Sequence, residues 1–88
     1  MTWEVEFDDR ARKELRKLDK SVQKEILEYL RKKVLKAEHP RKLGKPLESN
    51  LAGLWRYRVR DYRIICNIED EVLTVLVVRV AHRRKVYN

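Results

Sequence analysis

The chain has 88 residues, a formal net charge of +8 and a single cysteine, Cys66. At this length it forms one domain over residues 1–88, close to the smallest size that a single hydrophobic core can stabilise. No segment reaches the roughly 20 apolar residues that a transmembrane helix needs, and the acidic N-terminal segment is unlike a signal peptide. One cysteine excludes an internal disulfide and every multi-cysteine metal site. We therefore expect a soluble, cytoplasmic protein with no membrane segment and no metal or other cofactor.

The positive charge is distributed unevenly by residue type. Residues 1–51 hold nine lysines and five arginines, whereas residues 52–88 hold one lysine and seven arginines. Lysine is the usual solubilising residue of exposed helices, while arginine presents a planar fork of donors that matches phosphate and stacks on bases. The excess of cations favours a polyanionic or acidic partner, and we expect the arginine-rich half to contact it.

The N-terminal half predicts a strand followed by two helices. Residues 2–7 alternate between apolar and polar side chains, which is the period of a half-buried strand. Asp8 or Asp9 can cap a short first helix, and a second helix ends near Pro40, before a connecting loop over residues 41–53. The apolar stripes of the helices are Ala11, Leu15 and Leu18 in the first and Val22, Ile26, Leu30 and Val34 in the second.

The C-terminal half begins with a predicted hairpin. After the loop the apolar period returns to two, and Arg60 and Asp61 lie where a tight turn would fall. If these two residues form the whole turn, Arg58 lies directly opposite Arg63. Arg56 then shares their face, and the aromatic and aliphatic side chains share the other. Like charges directly across a hairpin are destabilising, so this cluster departs from what stability alone would select.

A third strand and a charged tail complete the chain. Residues 72–80 are apolar on both faces, which is typical of a central strand, and residues 82–85 are expected to leave the sheet. Together the elements predict an α+β fold: an N-terminal strand and a two-helix hairpin packed on a mainly antiparallel four-stranded sheet, with a C-terminal three-strand meander.

The order of elements and two segments resemble the RelE/ParE superfamily of bacterial and archaeal toxins. The segments are Leu-Trp-Arg-Tyr-Arg-Val-Arg-Asp-Tyr-Arg-Ile-Ile at 54–65 and Val-Ala-His-Arg-Arg-Lys-Val-Tyr at 80–87, and the resemblance covers essentially the whole chain. Members similar to RelE cut messenger RNA in the decoding site of the ribosome, and each is silenced by a cognate antitoxin. The resemblance thus implies a ribosome-dependent endoribonuclease whose partners are the ribosome, messenger RNA and an acidic, RelB-like antitoxin.

The resemblance also implies which residues form the site. Arg56 and Arg58 match two basic positions on one strand, where some relatives have lysines. Arg63 matches an arginine of the next strand, and Arg83 matches the arginine that follows the last strand. Tyr87 matches the C-terminal tyrosine of the family.

The proposed chemistry requires such residues on its own grounds. Attack by the RNA 2′-hydroxyl needs a proton acceptor, cations to hold charge on the phosphate and a proton donor for the 5′-oxygen, and it needs no metal ion. The three strand arginines suit charge stabilisation. Arg83 suits the same role or that of a poor proton donor, since the pKa of a guanidinium lies far above neutral. His82, with an ordinary pKa of about 6.5, is assigned as the base. Tyr87 would stack on a base or take part in proton transfer.

Two other functions remain open for this sequence. A ParE-like toxin would bind and poison gyrase without RNA chemistry, and a small basic nucleic-acid-binding domain would have no activity. The complete set of arginines and the terminal tyrosine favour the ribonuclease over the gyrase inhibitor. An apolar helix hairpin beside a cationic face is suited to an acidic, partly disordered antitoxin that folds on binding.

Overall fold

A computed structural model describes residues 2–84 of the chain as two helices lying on one face of a five-stranded sheet. The strands are β1 (Glu4–Phe7), β2 (Lys45–Pro46), β3 (Trp55–Val59), β4 (Tyr62–Glu69) and β5 (Thr74–His82). The helices are α1 (Asp9–Arg16) and α2 (Lys20–Tyr29), and α2 continues as a π-helical turn over Leu30–Val34. The predicted α+β fold is confirmed. No helix among residues 2–84 is both long and apolar enough to cross a bilayer.

The strands are ordered β1-β5-β4-β3-β2, with β1 parallel to β5 and the other neighbours antiparallel. The last strand is therefore interior, as its two apolar faces predict. The four predicted strands are present, and the connecting loop adds a fifth, because β2 pairs with the outer edge of β3. A strand of two residues has no period to detect, so the sequence pattern does not reveal it.

The start of α1 follows the predicted capping chemistry. The carboxylate of Asp8 accepts a hydrogen bond of 2.8 Å from the backbone N–H of Ala11, which has no partner inside the helix. After α1 ends, the side-chain amide of Gln23 in α2 donates to the carbonyl of Leu18 at 2.8 Å. The two helices are thus joined by a polar contact at their connection as well as by the core beneath them.

The core lies between the helices and one side of the sheet, which we call the helix face. Its buried residues are Ala11, Leu15, Val22, Ile26, Leu30 and Val34 from the helical hairpin and Tyr57, Val59, Ile64, Cys66, Val75, Val77 and Val80 from the strands. Burial raises the pKa of the Cys66 thiol, so this residue packs as a small apolar side chain. The hydroxyl of Tyr57 donates to the carbonyl of Pro40 at 2.7 Å, which satisfies its one buried polar atom.

The opposite side of the sheet is partly covered by the loop that precedes β3. Leucines of that loop form a second, smaller apolar cluster with side chains of β4 and β5. The cluster consists of Leu47, Leu51, Leu54, Ile65, Val78 and Ala81. The loop is therefore held over the sheet, and this side has an apolar floor beside its charged residues.

An irregularity in β5 is stabilised by α1. Ile65 pairs with Arg79 and Cys66 with Val77, so the register shifts by one residue between them. The carboxylate of Glu14 accepts hydrogen bonds from the backbone N–H of Val80 at 2.7 Å and from Nε of Arg79 at 2.9 Å. Glu14 thus accepts hydrogen bonds from residues of β5 that lie beyond the segment of β5 paired with β1.

Gly44 permits the close approach of β2 to β3. Its φ is +72°, and a Cβ atom here would lie 2.4 Å from the carbonyl oxygen of Arg56 and 2.8 Å from side-chain atoms of Trp55 and Tyr57. Only glycine combines this backbone conformation with this lack of space.

We expect Gly44→Ala to destabilise the fold by more than the backbone strain alone, because the new methyl group displaces the β3 backbone. The matched control is Gly53→Ala, where φ is +96° and no atom lies within 4 Å of the added Cβ. The control isolates the strain of a non-glycine residue at positive φ, about 1–3 kcal/mol. Urea unfolding of the two variants measures the difference, and equal losses would show that contact with β3 is unimportant.

Candidate active site

The β3–β4 hairpin has the predicted register. Arg58 pairs with Arg63 and Tyr57 with Ile64, which leaves residues 60 and 61 as a two-residue turn. Arg60 has a φ of +54°, the conformation that two-residue hairpin turns require at their first position. Because directly opposed residues share a face, this register determines which side chains lie on each side of the sheet.

Three strand arginines lie on the side of the sheet opposite the helices, which we call the arginine face. Arg58 is exposed, Arg56 is half-buried beside Ile65, and Arg63 is only 9% exposed. An arginine this buried is uncommon in a small domain. The arrangement confirms the predicted division of the hairpin into an arginine face and an apolar face.

Arg63 is the centre of a cluster of guanidinium groups. Burial lowers its pKa, and the positive charges of Arg56, Arg58 and Arg83 lower it further. Arg63 nevertheless remains a cation near neutral pH, because the ordinary pKa of arginine lies far above neutral. An anion that docks beside Arg63 would therefore experience the field of four arginines.

Arg83 approaches this cluster from the end of β5. Its backbone N–H donates to the carbonyl of Asp61 at 2.7 Å, and its Nε lies 3.7 Å from the Asp61 carboxylate. Both contacts are made to the β3–β4 turn. The structure therefore brings Arg83 together with the three strand arginines, although Arg83 follows Arg63 by twenty residues.

One basic residue at this site is missed by the sequence pattern. Lys45 of β2 is directly opposite Arg56, so its side chain is on the arginine face. A neighbouring cavity of about 370 Å³ is lined by Lys45, Pro46, Leu47, Glu48, Ser49 and Arg56. The only sequence signal for this placement is Gly44, whose tight contact with β3 places β2 beside Arg56.

His82 lies on the helix face, opposite the strand arginines, which counts against its predicted role as their base. It is the last residue of β5 and pairs with Tyr62, and the two rings meet edge to face with centroids 5.5 Å apart. Its Nδ1 accepts a hydrogen bond of 3.2 Å from the backbone N–H of Arg84. β5 continues two residues beyond the predicted end, so the alternation of the strand places His82 on the helix face.

The remaining predicted site residue, Tyr87, lies outside the described residues. Within residues 2–84, no three side chains of the His, Cys, Asp or Glu type are grouped so that they could hold a metal ion. The candidate site in the described part of the chain is therefore a cationic surface of Arg56, Arg58, Arg63 and Arg83, bordered by Lys45.

We expect Arg58→Thr to raise the free energy of unfolding by about 0.2–1 kcal/mol, because it removes a like-charge pair directly across the hairpin. The gain should shrink as salt is added, since exposed charges are screened. Arg58→Lys is the matched control, because it keeps the charge and should bring no gain. Urea unfolding at low and high salt measures both variants, and a gain for the lysine variant would contradict the electrostatic explanation.

Comparison with known proteins gives the family. A family model described as the ParE toxin of the type II toxin-antitoxin system, parDE, matches residues 5–87. The chain is 34% identical to the toxin RelG of Mycobacterium tuberculosis over all of this chain and 99% of that protein. It is 31% identical to the toxin RelE of the same organism over 89% of this chain and 78% of the relative.

Solved structures show the same fold. A chain of the RelBE2 toxin-antitoxin complex from M. tuberculosis superposes with a TM-score of 0.83 and 34% identity, covering 94% of this chain and 93% of that one. A mutant of the Escherichia coli toxin RelE in the free state gives a TM-score of 0.74 and 27% identity, covering 93% of this chain and 84% of that one. Sequence, architecture and relatives agree: the chain belongs to the RelE/ParE superfamily and is a type II toxin of the RelE family.

Proposed function

We propose that this toxin is a ribosome-dependent endoribonuclease that cleaves messenger RNA and so inhibits translation. The observation that carries the proposal is the cluster of four arginines formed by the buried Arg63 and its neighbours Arg56, Arg58 and Arg83. Like charges at this density reduce stability, and a bound phosphodiester would compensate them. The proposal places the toxin in the cytoplasm, where ribosomes are.

The cleavage step follows from the chemistry of RNA. The 2′-oxygen attacks the adjacent phosphorus and loses its proton, the bond from phosphorus to the 5′-oxygen breaks, and the departing oxygen takes up a proton. The products are a 2′,3′-cyclic phosphate and a free 5′-hydroxyl. Negative charge increases on the phosphoryl oxygens in the transition state, and fixed cations aimed at those oxygens lower the barrier.

The roles of the residues follow from their positions. We assign stabilisation of the phosphate to Arg56, Arg58 and Arg63 on the strands and to Arg83 at the strand end. His82 is not included, because it contacts Tyr62 on the helix face. Tyr87 is retained from the family resemblance for base stacking or proton transfer. Placement of the 2′-hydroxyl in line with the leaving oxygen is assigned to the ribosome, so we expect the free toxin to be inert on naked RNA.

A gyrase-directed toxin is the second candidate, because the family model that matches the chain carries the description ParE. Such a toxin acts by binding a protein and has no need of clustered guanidinium groups around a phosphate. The arginine face therefore favours the ribonuclease. A supercoiling assay on plasmid DNA from expressing cells distinguishes the two, because only gyrase poisoning alters DNA topology.

We expect Arg83→Ala to reduce codon-phased cleavage of messenger RNA by about 10²–10³-fold, the usual effect of removing one group that stabilises transition-state charge. Primer extension on ribosome-bound messages measures the cuts. Arg63→Ala should behave similarly, with circular dichroism to verify that this buried site still folds. The control is Arg31→Ala on the exposed surface of the helical hairpin, which should cleave normally. Intact transcripts combined with a supercoiling defect would exclude the ribonuclease.

We further propose that the arginine face is covered by an acidic, RelB-like antitoxin. The support is the net charge of +8 and the fact that related toxins are found in complexes with RelB. A flexible acidic segment that wraps the toxin would place carboxylates on guanidinium groups and apolar side chains on the half-buried surface of the helical hairpin.

Binding of the cognate antitoxin should weaken as salt rises, because the contact is partly electrostatic. Titration calorimetry at low and high salt measures the slope, and Arg58→Ala should reduce it. The control Arg41→Ala, which removes a cation that pairs with Asp70 outside both proposed contact surfaces, tests whether any lost cation has the same effect. An affinity that is independent of salt would exclude the arginine face as the principal contact.

A further inference from the structure

The turn between β3 and β4 holds Arg83 at two points. The carbonyl oxygen of Asp61 accepts the backbone N–H of Arg83 at 2.7 Å, and the carboxylate of the same residue lies 3.7 Å from Nε of the guanidinium. The first contact extends the β4–β5 ladder by one hydrogen bond beyond the Tyr62 and His82 pair. The second contact is made to the guanidinium group of Arg83, the part of the side chain that would bind a phosphate.

Stability does not explain this arrangement. The side chains of Arg83 and Asp61 are 51% and 63% exposed, and ion pairs with that much exposure contribute little to folding. A carboxylate beside an anion-binding surface also weakens the field that attracts phosphate. The Asp61 carboxylate therefore opposes anion binding and adds little stability, so its contact with the Arg83 guanidinium calls for another explanation.

Geometry supplies that explanation. A guanidinium on a flexible side chain just beyond the end of a strand samples many positions, and only some are useful for holding a phosphate. A carboxylate at Nε restrains the side chain and leaves both terminal amino groups available for phosphoryl oxygens. The backbone contact fixes the point from which the side chain starts.

We propose that Asp61 is a positioning residue that holds Arg83 in place for catalysis without touching the RNA. The inference rests on the proposed ribonuclease function, and it identifies the β3–β4 turn as part of the catalytic machinery. Loss of the Asp61 carboxylate should therefore lower kcat without raising KM. Arg83 is then misplaced in the transition state, while the site gains net positive charge for binding RNA.

The kinetic test uses Asp61→Asn with ribosome-bound messenger RNA. We expect kcat to fall by about two- to fivefold, the range that an exposed ion pair can supply. KM should stay equal, as for loss of an interaction made only in the transition state, or fall because the site gains positive charge. Asp61→Glu should restore part of kcat. Glu28→Gln is the matched control, because it removes one exposed carboxylate from α2 and should leave kcat unchanged. A rise in KM with unchanged kcat would overturn the positioning role.

A double mutant distinguishes positioning from a general structural effect. In an Arg83→Ala background, Asp61→Asn should cause no further loss of kcat, because its effect is transmitted through Arg83. Losses that simply multiply would overturn the inference. The test separates this inference from the proposed function, because it compares variants only after the parent toxin has been shown to cleave.

A second measurement does not depend on catalysis. In the free protein, the order parameter of the Arg83 Nε–H bond, from 15N relaxation, should be lower in Asp61→Asn than in the parent, while the Glu28→Gln control matches the parent. An unchanged order parameter in Asp61→Asn would overturn the inference even if the toxin cleaves RNA. A lower order parameter in a toxin that leaves every transcript intact would support the restraint of Arg83 and reject the ribonuclease function.

Discussion

The register of the β3–β4 hairpin is the constraint on which the rest of the molecule depends. Side chains alternate along a strand, so a slip of β3 by one residue against β4 would place Arg58 among the helices and Tyr57 in solvent. The two-residue turn prevents that slip, because it allows one pairing only. The pairing of β3 with β4 therefore determines both which side chains enter the core and which form the arginine face.

The second apolar cluster, formed by the loop leucines, lies on the same side of the sheet as the arginines. The leucines of the loop before β3 pack on Ile65 and Ala81, and this cover lies beside the strand arginines. The burial of Arg63 lowers its pKa and makes its positive charge costly to the free protein. Lower dielectric around a cation also strengthens its attraction for an incoming phosphate. Burial thus reduces the stability of the free toxin and strengthens the attraction of Arg63 for an anion.

The sequence predicted the features that depend on neighbours in the chain. The Asp8 cap, the helical hairpin and the Arg58 to Arg63 pair all follow from spacing over a few residues. It did not predict Lys45 on the arginine face or the covering leucines, because loop positions are determined by contacts between distant segments. It also ended the last strand too early, so His82 was expected beside the arginines and lies on the helix face. The end of a strand depends on its pairing with the neighbouring strand and not on its composition. An error of two residues in the predicted end therefore determines whether a side chain such as that of His82 is expected inside or outside the sheet.

The β3–β4 turn connects the two layers through adjacent residues. Arg60 donates to the carboxylate of Glu25 on α2, which ties the turn to the helices, while Asp61 contacts Arg83 on the other side. A chain reversal that only joined two strands would favour asparagine and glycine, because these residues adopt positive φ at little cost. Arg60 occupies that conformation without this advantage. The positive φ of Arg60 therefore lowers the local stability of the turn, while the side chains of Arg60 and Asp61 contact Glu25 on α2 and Arg83 after β5.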